Sequence, residues 1–131
     1  MPQNASSVTI AKTGAGAQTT LNADGTGALV VNSGGTLSKL NVSAAAVIKT
    51  GKGKAGRVVI IAPGSTSGAF TFNDCATVGA ASAANTIWTL PYNAATNIAG
   101  ATFDINFPVT TGLVLSAVPG AGSPIIAIAY S

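Results

Sequence analysis

The clearest pattern in the chain is an alternation of apolar and polar positions over Thr102–Val109. One side of this stretch is apolar and consists of Phe103, Ile105, Phe107 and Val109. The other side carries the polar residues Thr102, Asp104 and Asn106. Successive side chains of a strand point to opposite faces of its sheet, so this period of two predicts a half-buried β-strand.

Other apolar stretches also predict strands. The β-branched run at residues 57–62 is continuous and ends at a Pro-Gly pair, which predicts a strand buried on both faces. Phe70 and Phe72 alternate with polar residues, so both rings are expected on one side. In the last strand, residues 125–130, large side chains alternate with alanine. Further strand candidates lie at residues 28–31, 47–48, 87–90 and 113–115, and Leu37, Leu40 and Val42 lead into the main body.

Turn residues separate these stretches at short intervals. About seven to nine short strands punctuated by glycine, proline and asparagine predict an all-β fold, either an antiparallel β-sandwich or a jelly-roll-like barrel. Residues 76–84 carry no apolar stripe and contain a glycine, so they are predicted to form a loop. Residues 1–40 are predicted to form an extended N-terminal arm or marginal strands, and residues 41–131 the β-sandwich domain.

The composition adds an argument about association. Charged residues make up 7% of the 131 residues, against about 25% in an ordinary soluble domain. A surface with so little charge favours burial against other copies or a partner lattice, because interface cores are depleted in charge. The alternative is a monomer with a neutral surface.

Most catalytic chemistry lacks its residues. Histidine and glutamate are both absent, and the acids are Asp24, Asp74 and Asp104. Imidazole-dependent nucleophilic sites are therefore excluded, and one cysteine, Cys75, supports neither a disulfide nor a zinc cluster. The G-x-G-x-x-G match at residues 51–56 precedes a strand, whereas a dinucleotide site needs it to open a helix. We predict no enzymatic activity, no cofactor and no metal.

The six cations are concentrated in one segment. Four of them, Lys49, Lys52, Lys54 and Arg57, lie in what is predicted to be a glycine-rich hairpin loop, and Lys12 and Lys39 complete the set. The segment is either a solvated turn or a contact with an acidic surface of a partner. No aromatic residue is interleaved to stack bases, so nucleic acid is not the expected partner. The predicted interface residues are these four cations together with Val8 and Ile10, which form the short alternation of the arm.

Neither targeting signals nor aromatic residues alter the expectation of a non-enzymatic assembly protein. The first residues lack the basic and apolar regions of a signal peptide, and no apolar run reaches membrane-spanning length. Folding in a cytoplasm is therefore expected, without a membrane partner. Trp88 and Tyr92 flank Pro91 and are expected to pack in the core or an interface, with a sugar-binding platform as the alternative.

Two parts of the chain carry a resemblance to a known family. The first is Val42–Lys49 with the Gly/Lys turn and Gly56–Ser65, and the second is Phe107–Leu115 with Ile126–Ser131. Together they resemble small β-sandwich virion proteins of tailed bacteriophages. In those proteins a strand leading into I-K-x-G-x-G opens the domain, and a P-V-x-x-G-L strand and a final apolar strand ending in tyrosine close it. The resemblance covers about residues 40–131.

The resemblance implies a virion component assembled in the host cytoplasm. A capsid decoration (cement) protein that binds the capsid lattice comes first, and a head-fibre or tail-associated subunit second. It also implies a homo-oligomer, often a trimer, that contacts the major capsid protein or another virion protein, with residues 1–40 reaching a neighbour. Two other classes stay open. One is a carbohydrate- or receptor-binding module using Trp88, Tyr92 or Tyr130, and the other is a pilus-like subunit that pairs by strand addition.

Overall fold

The structure is a computed structural model that describes residues 9–12, 18–20 and 37–131. The chain divides into two compact units, residues 1–32 and 33–131. In the first unit, strands β1 (Thr9–Lys12) and β2 (Gln18–Thr20) pair in antiparallel orientation. Of the predicted elements in this part, Val8 and the strand at residues 28–31 lie outside the described residues.

The second unit contains eight antiparallel strands in two four-stranded sheets. Sheet I has the order β3-β10-β5-β8, and sheet II has the order β4-β9-β6-β7. Two short 3-10 turns, Val78–Ala80 and Ala83–Asn85, lie in the loop predicted at residues 76–84. The strands are β3 (Leu37–Val42), β4 (Ala46–Thr50), β5 (Gly53–Ala62), β6 (Gly68–Asp74), β7 (Thr86–Tyr92), β8 (Thr102–Val109), β9 (Gly112–Ala117) and β10 (Ile125–Tyr130).

The strand pairing is nested. The two middle strands, β6 and β7, pair with each other, and successive pairs follow outward: β5 with β8, β4 with β9 and β3 with β10. The eight strands therefore form one long hairpin that is folded over into two sheets, which is the connectivity of a jelly roll. The all-β sandwich prediction is confirmed. The extended arm at residues 1–40 stays a prediction, because most of these residues lie outside the part of the chain that the structure describes.

The core lies between the two sheets. Phe70 and Phe72 are fully buried, as their alternation predicted. The Tyr92 ring meets Phe70 edge-on at 6.2 Å, and Trp88 packs against Phe72 at 6.0 Å. Such aromatic pairs stabilise a core beyond the area they bury. The core also contains aliphatic side chains from both sheets: Val42, Ile48, Val58, Ile60, Leu90, Val109, Leu113, Leu115, Ile126 and Ile128.

The prediction that β5 is buried on both faces is wrong. Val58 and Ile60 point into the core, but Ile61 is 43% exposed and Val59 is half-buried. The continuous apolar run predicted burial on both faces, but β5 is a central strand of sheet I, and none of the described elements covers the outer face of that sheet. Its apolar character on that face therefore needs another explanation than the core.

Strand β8 departs from its alternation at one point. Phe107 is 47% exposed, although its position in the pattern places it with the buried Val109. Asn106 has a positive φ of 53°, and it lies between Asp104 and Phe107, where the pairing of β8 with β5 shifts register. A bulge of this kind turns the following side chains relative to the regular pleat, so the period of two fails beyond Ile105.

The sandwich begins earlier than expected. Strand β3 starts at Leu37 and pairs with β10, so residues 37–40 belong to sheet I rather than to the arm predicted for residues 1–40. Leu37 and Leu40 carried a weak apolar signal, and the partner that makes them a strand is almost ninety residues away in the sequence.

Candidate association surfaces

The cationic segment is not a hairpin loop. Only Gly51 and Lys52 form the turn, and Gly51 adopts the positive φ of 75° that such a tight turn requires. Strand β4, which carries Lys49, lies in sheet II, whereas β5, which carries Lys54 and Arg57, lies in sheet I. The chain therefore passes between the sheets here, and its cations are divided between two layers.

The predicted interface residues have different environments. Lys49 is half-buried and lies across the start of β5, where a Cβ at Gly53 would overlap it. Lys52 is exposed in the turn, and Lys54 is half-buried beside Ser131, with which it exchanges two backbone hydrogen bonds. Of Ile10 only its place in β1 is described. The structure therefore brings Lys49, Lys52 and Lys54 to one end of the sandwich, and Arg57 belongs elsewhere.

Arg57 lies on the outer face of sheet I. Its Nε donates a hydrogen bond to Asp104 Oδ1 at 2.6 Å, and both side chains are exposed. The two residues pair directly across β5 and β8, so the ion pair is built into the strand register. The charges of Arg57 and Asp104 cancel locally. Lys54 lies on the same outer side of β5, because its neighbour Ala55 points into the core.

That face carries exposed aliphatic side chains. Leu40 is 62% exposed, Ile61 43% and Ile125 36%. Val59 pairs with Ala127 and Arg57 with Ala129 across β5 and β10, so both alanines lie on this side of the sheet. We call the surface formed by Leu40, Val59, Ile61, Ile125, Ala127 and Ala129 the aliphatic face.

The outer face of sheet II is covered by the chain itself. Val114 and Asn73 pair across β9 and β6, and both are buried although neither is part of the core between the sheets. The connection between β6 and β7, residues 75–85, folds over them. We call this connection the cover loop. Its exposed side chains are small or polar apart from Val78, so the apolar area left open on this side is small.

Asn73 is the centre of the cover-loop contacts. Its Nδ2 donates to the Ser82 carbonyl at 2.9 Å and to Asn85 Oδ1 at 2.8 Å, and its Oδ1 accepts from Ser116 Oγ at 2.6 Å. It also contacts Thr86 Oγ1 at 3.1 Å. Buried polar groups are tolerated when they are hydrogen-bonded, and this side chain satisfies that condition on every side.

A groove of about 340 Å³ lies beside this network. Thr71, Asn73, Ser82, Thr86 and Ser116 contribute to its wall. In the described residues, no buried side-chain nitrogen or oxygen lacks a hydrogen-bond partner. The buried polar atoms beside the groove are therefore engaged with one another.

Asp74 anchors the turn between β8 and β9. Its carboxylate accepts hydrogen bonds from the backbone N–H groups of Thr110, Thr111 and Gly112 at 2.7–3.0 Å, and from the Thr110 hydroxyl at 2.8 Å. Burial acts to raise the pKa of Asp74, but these donors outweigh it and lower the pKa to about 2. Asp74 therefore has a structural role, which depends on a turn 36–38 residues away in the sequence.

The remaining candidate residues are also structural. Cys75 is buried, and its thiol donates to the Thr77 carbonyl at 3.3 Å. Tyr92 is buried, and its hydroxyl accepts from the Gly64 N–H and donates to the Gly64 carbonyl. Within the described ranges, no group of His, Cys, Asp and Glu could hold a metal, and no helix has the length and apolarity to cross a membrane.

The four edge strands carry features that oppose strand addition. β3 has a bulge at Asn41, and its Lys39 ammonium reaches back to the Val47 carbonyl of β4. β8 has the bulge at Asn106 followed by a proline, and β7 contains Pro91. β4 is short and shifts register near its end. Bulges, prolines and inward-pointing lysines are known ways of blocking edge-to-edge pairing.

Comparison of the chain with protein-family models, with curated proteins and with solved structures gives no match. The phage resemblance therefore stays a prediction from the motifs quoted above.

Sequence reasoning missed the aliphatic face, although a signal for it was present. Ile60-Ile61 and Ile125-Ile126 are adjacent pairs of large aliphatic residues within strands. Neighbouring side chains of a strand point to opposite faces, so each pair must place one isoleucine outside the core. This signal predicts an apolar outer face for any strand whose sheet is covered on one side only.

Proposed function

We propose that this chain is a non-enzymatic structural subunit of a virion, specifically a capsid decoration protein that binds the capsid lattice. The observation that carries the proposal is the combination of jelly-roll connectivity with an uncovered aliphatic face. Jelly rolls are common in viral capsid proteins, but a fold alone does not define a function, so the surface has to supply the argument.

The surface favours association through apolar contacts. Isolated exposed aliphatic residues are common, whereas a contiguous apolar patch on one sheet face is typical of an interaction site. Leu40, Ile61 and Ile125 belong to one face rather than being scattered. Apolar burial stabilises contacts between the subunits of an assembly more than exposed ion pairs do.

The lysine end of the sandwich supplies a second contact. Lys52 is exposed in its turn, with Lys49 and Lys54 close to it in the chain. Such a group is attracted to an acidic surface, and this attraction falls as salt increases. We therefore propose an acidic patch on a virion protein, such as the major capsid protein, as the partner of this end. A head-fibre or tail-associated subunit would use the same two surfaces.

The carbohydrate-binding alternative has weaker support. Lectin domains also use jelly rolls, and stacking on a sugar needs exposed aromatic rings. Tyr92 is buried with its hydroxyl engaged, and Trp88 is half-buried against Phe72. Tyr130 is half-buried in β10. Assembly is therefore the better-supported function.

Binding to virus particles tests the proposal. Heads, tails and whole particles of the phage that encodes the chain are incubated with labelled protein and separated from free protein by sedimentation. We expect saturable binding to heads that is weakened by high salt and by Lys52→Glu, with Val78→Glu on the cover loop as an exposed control. Binding to tails alone would favour the tail-associated subunit, and binding to none of the three would overturn the proposal.

A further inference from the structure

We propose that the aliphatic face is a two-fold contact between two copies of this chain. The inference rests on the proposed function, since it names one partner of an assembly subunit. In such an isologous contact the same patch is used by both copies, so the patch has to complement itself in shape and charge. The face meets both conditions.

The first step is the availability of surfaces. The outer face of sheet II is occupied by the cover loop, and the four edges carry bulges, prolines or an inward-pointing lysine. Within the described sandwich, the aliphatic face is a large apolar surface that no loop covers and no edge feature blocks. Two such sheet faces can pack against each other about 10 Å apart with their side chains interdigitated, as the two sheets of a sandwich do.

The second step is charge. The ion pair on this side of the sheet is formed by Arg57 and Asp104, and both have free hydrogen-bonding capacity because each uses one atom in the 2.6 Å contact. Lys54 lies on the same side but further along β5, towards the lysine end. In a face-to-face pair related by a two-fold axis, Arg57 of each copy can approach Asp104 of the other. The exposed Lys52 lies in the turn that precedes β5, so a contact through the lysine end would instead bring like charges together.

The third step is area. Four strands about 4.8 Å apart and about six residues of about 3.3 Å each give a face of roughly 400 Å² per copy. Stable interfaces bury about 800 Å² per partner, and contacts below this are weak and transient. We therefore expect a concentration-dependent monomer–dimer equilibrium rather than a permanent dimer. A face-to-face contact closes with two copies, which differs from the trimer that the resemblance implies.

Analytical ultracentrifugation of the purified chain over a wide concentration range tests this contact. We expect a monomer–dimer equilibrium that is weakened at least about tenfold by Ile61→Glu and by Ile125→Glu, because each buries an unpaired charge. Val78→Glu is the matched control, since Val78 has the same 36% exposure as Ile125 but lies on the cover loop. Unchanged circular dichroism and melting temperature verify that each variant is folded.

Charge reversal tests the two-fold geometry. Arg57→Asp and Asp104→Arg should each weaken self-association, whereas an equimolar mixture of the two variants should regain it, because opposite charges then meet across the contact. A strict monomer, a trimer, a mixture that fails to associate, or association that survives Ile61→Glu would each overturn the proposal. Head binding without self-association would leave the proposed function intact, and self-association without binding to any particle would overturn the proposed function alone.

Discussion

The two outer faces of this sandwich solve the same problem in different ways. Each sheet has an inner face in the core and an outer face that carries apolar side chains. On sheet II, Val114 is covered by the cover loop and lies beside the hydrogen-bonded side chain of Asn73. On sheet I, Ile61 and Leu40 stay exposed and are accompanied by one ion pair.

The difference teaches where stability and association reside in this molecule. Covering sheet II uses an eleven-residue connection whose ordering costs conformational entropy, and the Asn73 network has to offset that cost. Sheet I avoids the cost but leaves aliphatic area in water. Substitutions on sheet II should therefore change the free energy of unfolding, whereas substitutions on sheet I should change association and leave folding nearly unaffected.

The largest expected effect is at the centre of the cover-loop network. Asn73→Ala removes the four side-chain contacts to Ser82, Asn85, Thr86 and Ser116. Because Nδ2 has two hydrogens for its three acceptors, these contacts amount to about three hydrogen bonds. At about 1 kcal/mol for each, the free energy of unfolding should fall by about 3 kcal/mol. Urea unfolding measures this change, and hydrogen exchange should show faster exchange in residues 75–85 than in the rest of the sandwich.

Asn93→Ala is the control for this substitution. Asn93 is exposed and accepts one local hydrogen bond from the Ala95 N–H, so its loss should cost well under about 1 kcal/mol. Equal effects of the two substitutions would show that the cover loop is not held by Asn73, and the comparison of the two faces would then lose its basis.

The two aspartates of the sandwich provide the next test. Asp74→Asn weakens four hydrogen bonds at the turn between β8 and β9 and should cost about 2 kcal/mol at neutral pH. Asp104→Asn removes an exposed ion pair on sheet I and should cost at most about 1 kcal/mol. Thermal or urea unfolding of both variants measures the difference.

The pH dependence has a definite sign. The pKa of Asp74 is about 2 in the folded chain against an ordinary value of 3.8, so the unfolded chain takes up the proton first. The stabilisation from Asp74 is fully present above about pH 4 and is lost as the pH falls towards 2. Asp74→Asn should remove this part of the acid sensitivity. An unchanged acid profile would contradict the assignment.

The sequence predicted the inner half of the fold better than the outer half. The spacing of two residues between Phe70 and Phe72, and between Ile126 and Ile128, identified inward-facing residues because the pleat repeats every two residues. The nested pairing and the crossing between sheets at Gly51 depend on partners far away in the sequence. The exposure of Phe107 depends on a local backbone departure at Asn106, which no periodicity encodes.

The aliphatic face, which we propose as a contact between copies, was the least predictable feature. The interface predicted from the sequence comprises Val8 and Ile10 of the arm and the cations between Lys49 and Arg57, and it stays a prediction. An aliphatic residue such as Ile61 reads as core in a sequence, and only the layer order of the sheets reveals that nothing described covers it.

A matched pair of valines tests the comparison of faces most directly. Val114 is fully buried beneath the cover loop, and Val59 is half-buried at the centre of the aliphatic face; each pairs with a residue on the same outer side of its sheet. Val114→Ala should lower the free energy of unfolding by about 1.5 kcal/mol, because two buried methyl groups are lost at about 0.8 kcal/mol each. Val59→Ala should cost less than about half of that in the monomer.

At high protein concentration, however, the Val59 variant should also lose part of the stabilisation that self-association adds, because a contact that binds only the folded chain raises its apparent stability with concentration. Chemical unfolding of both variants at low and high protein concentration separates the two contributions. If Val59→Ala were as costly as Val114→Ala at low concentration, the outer face of sheet I would be covered within the monomer, and the aliphatic face could not serve as a contact between copies.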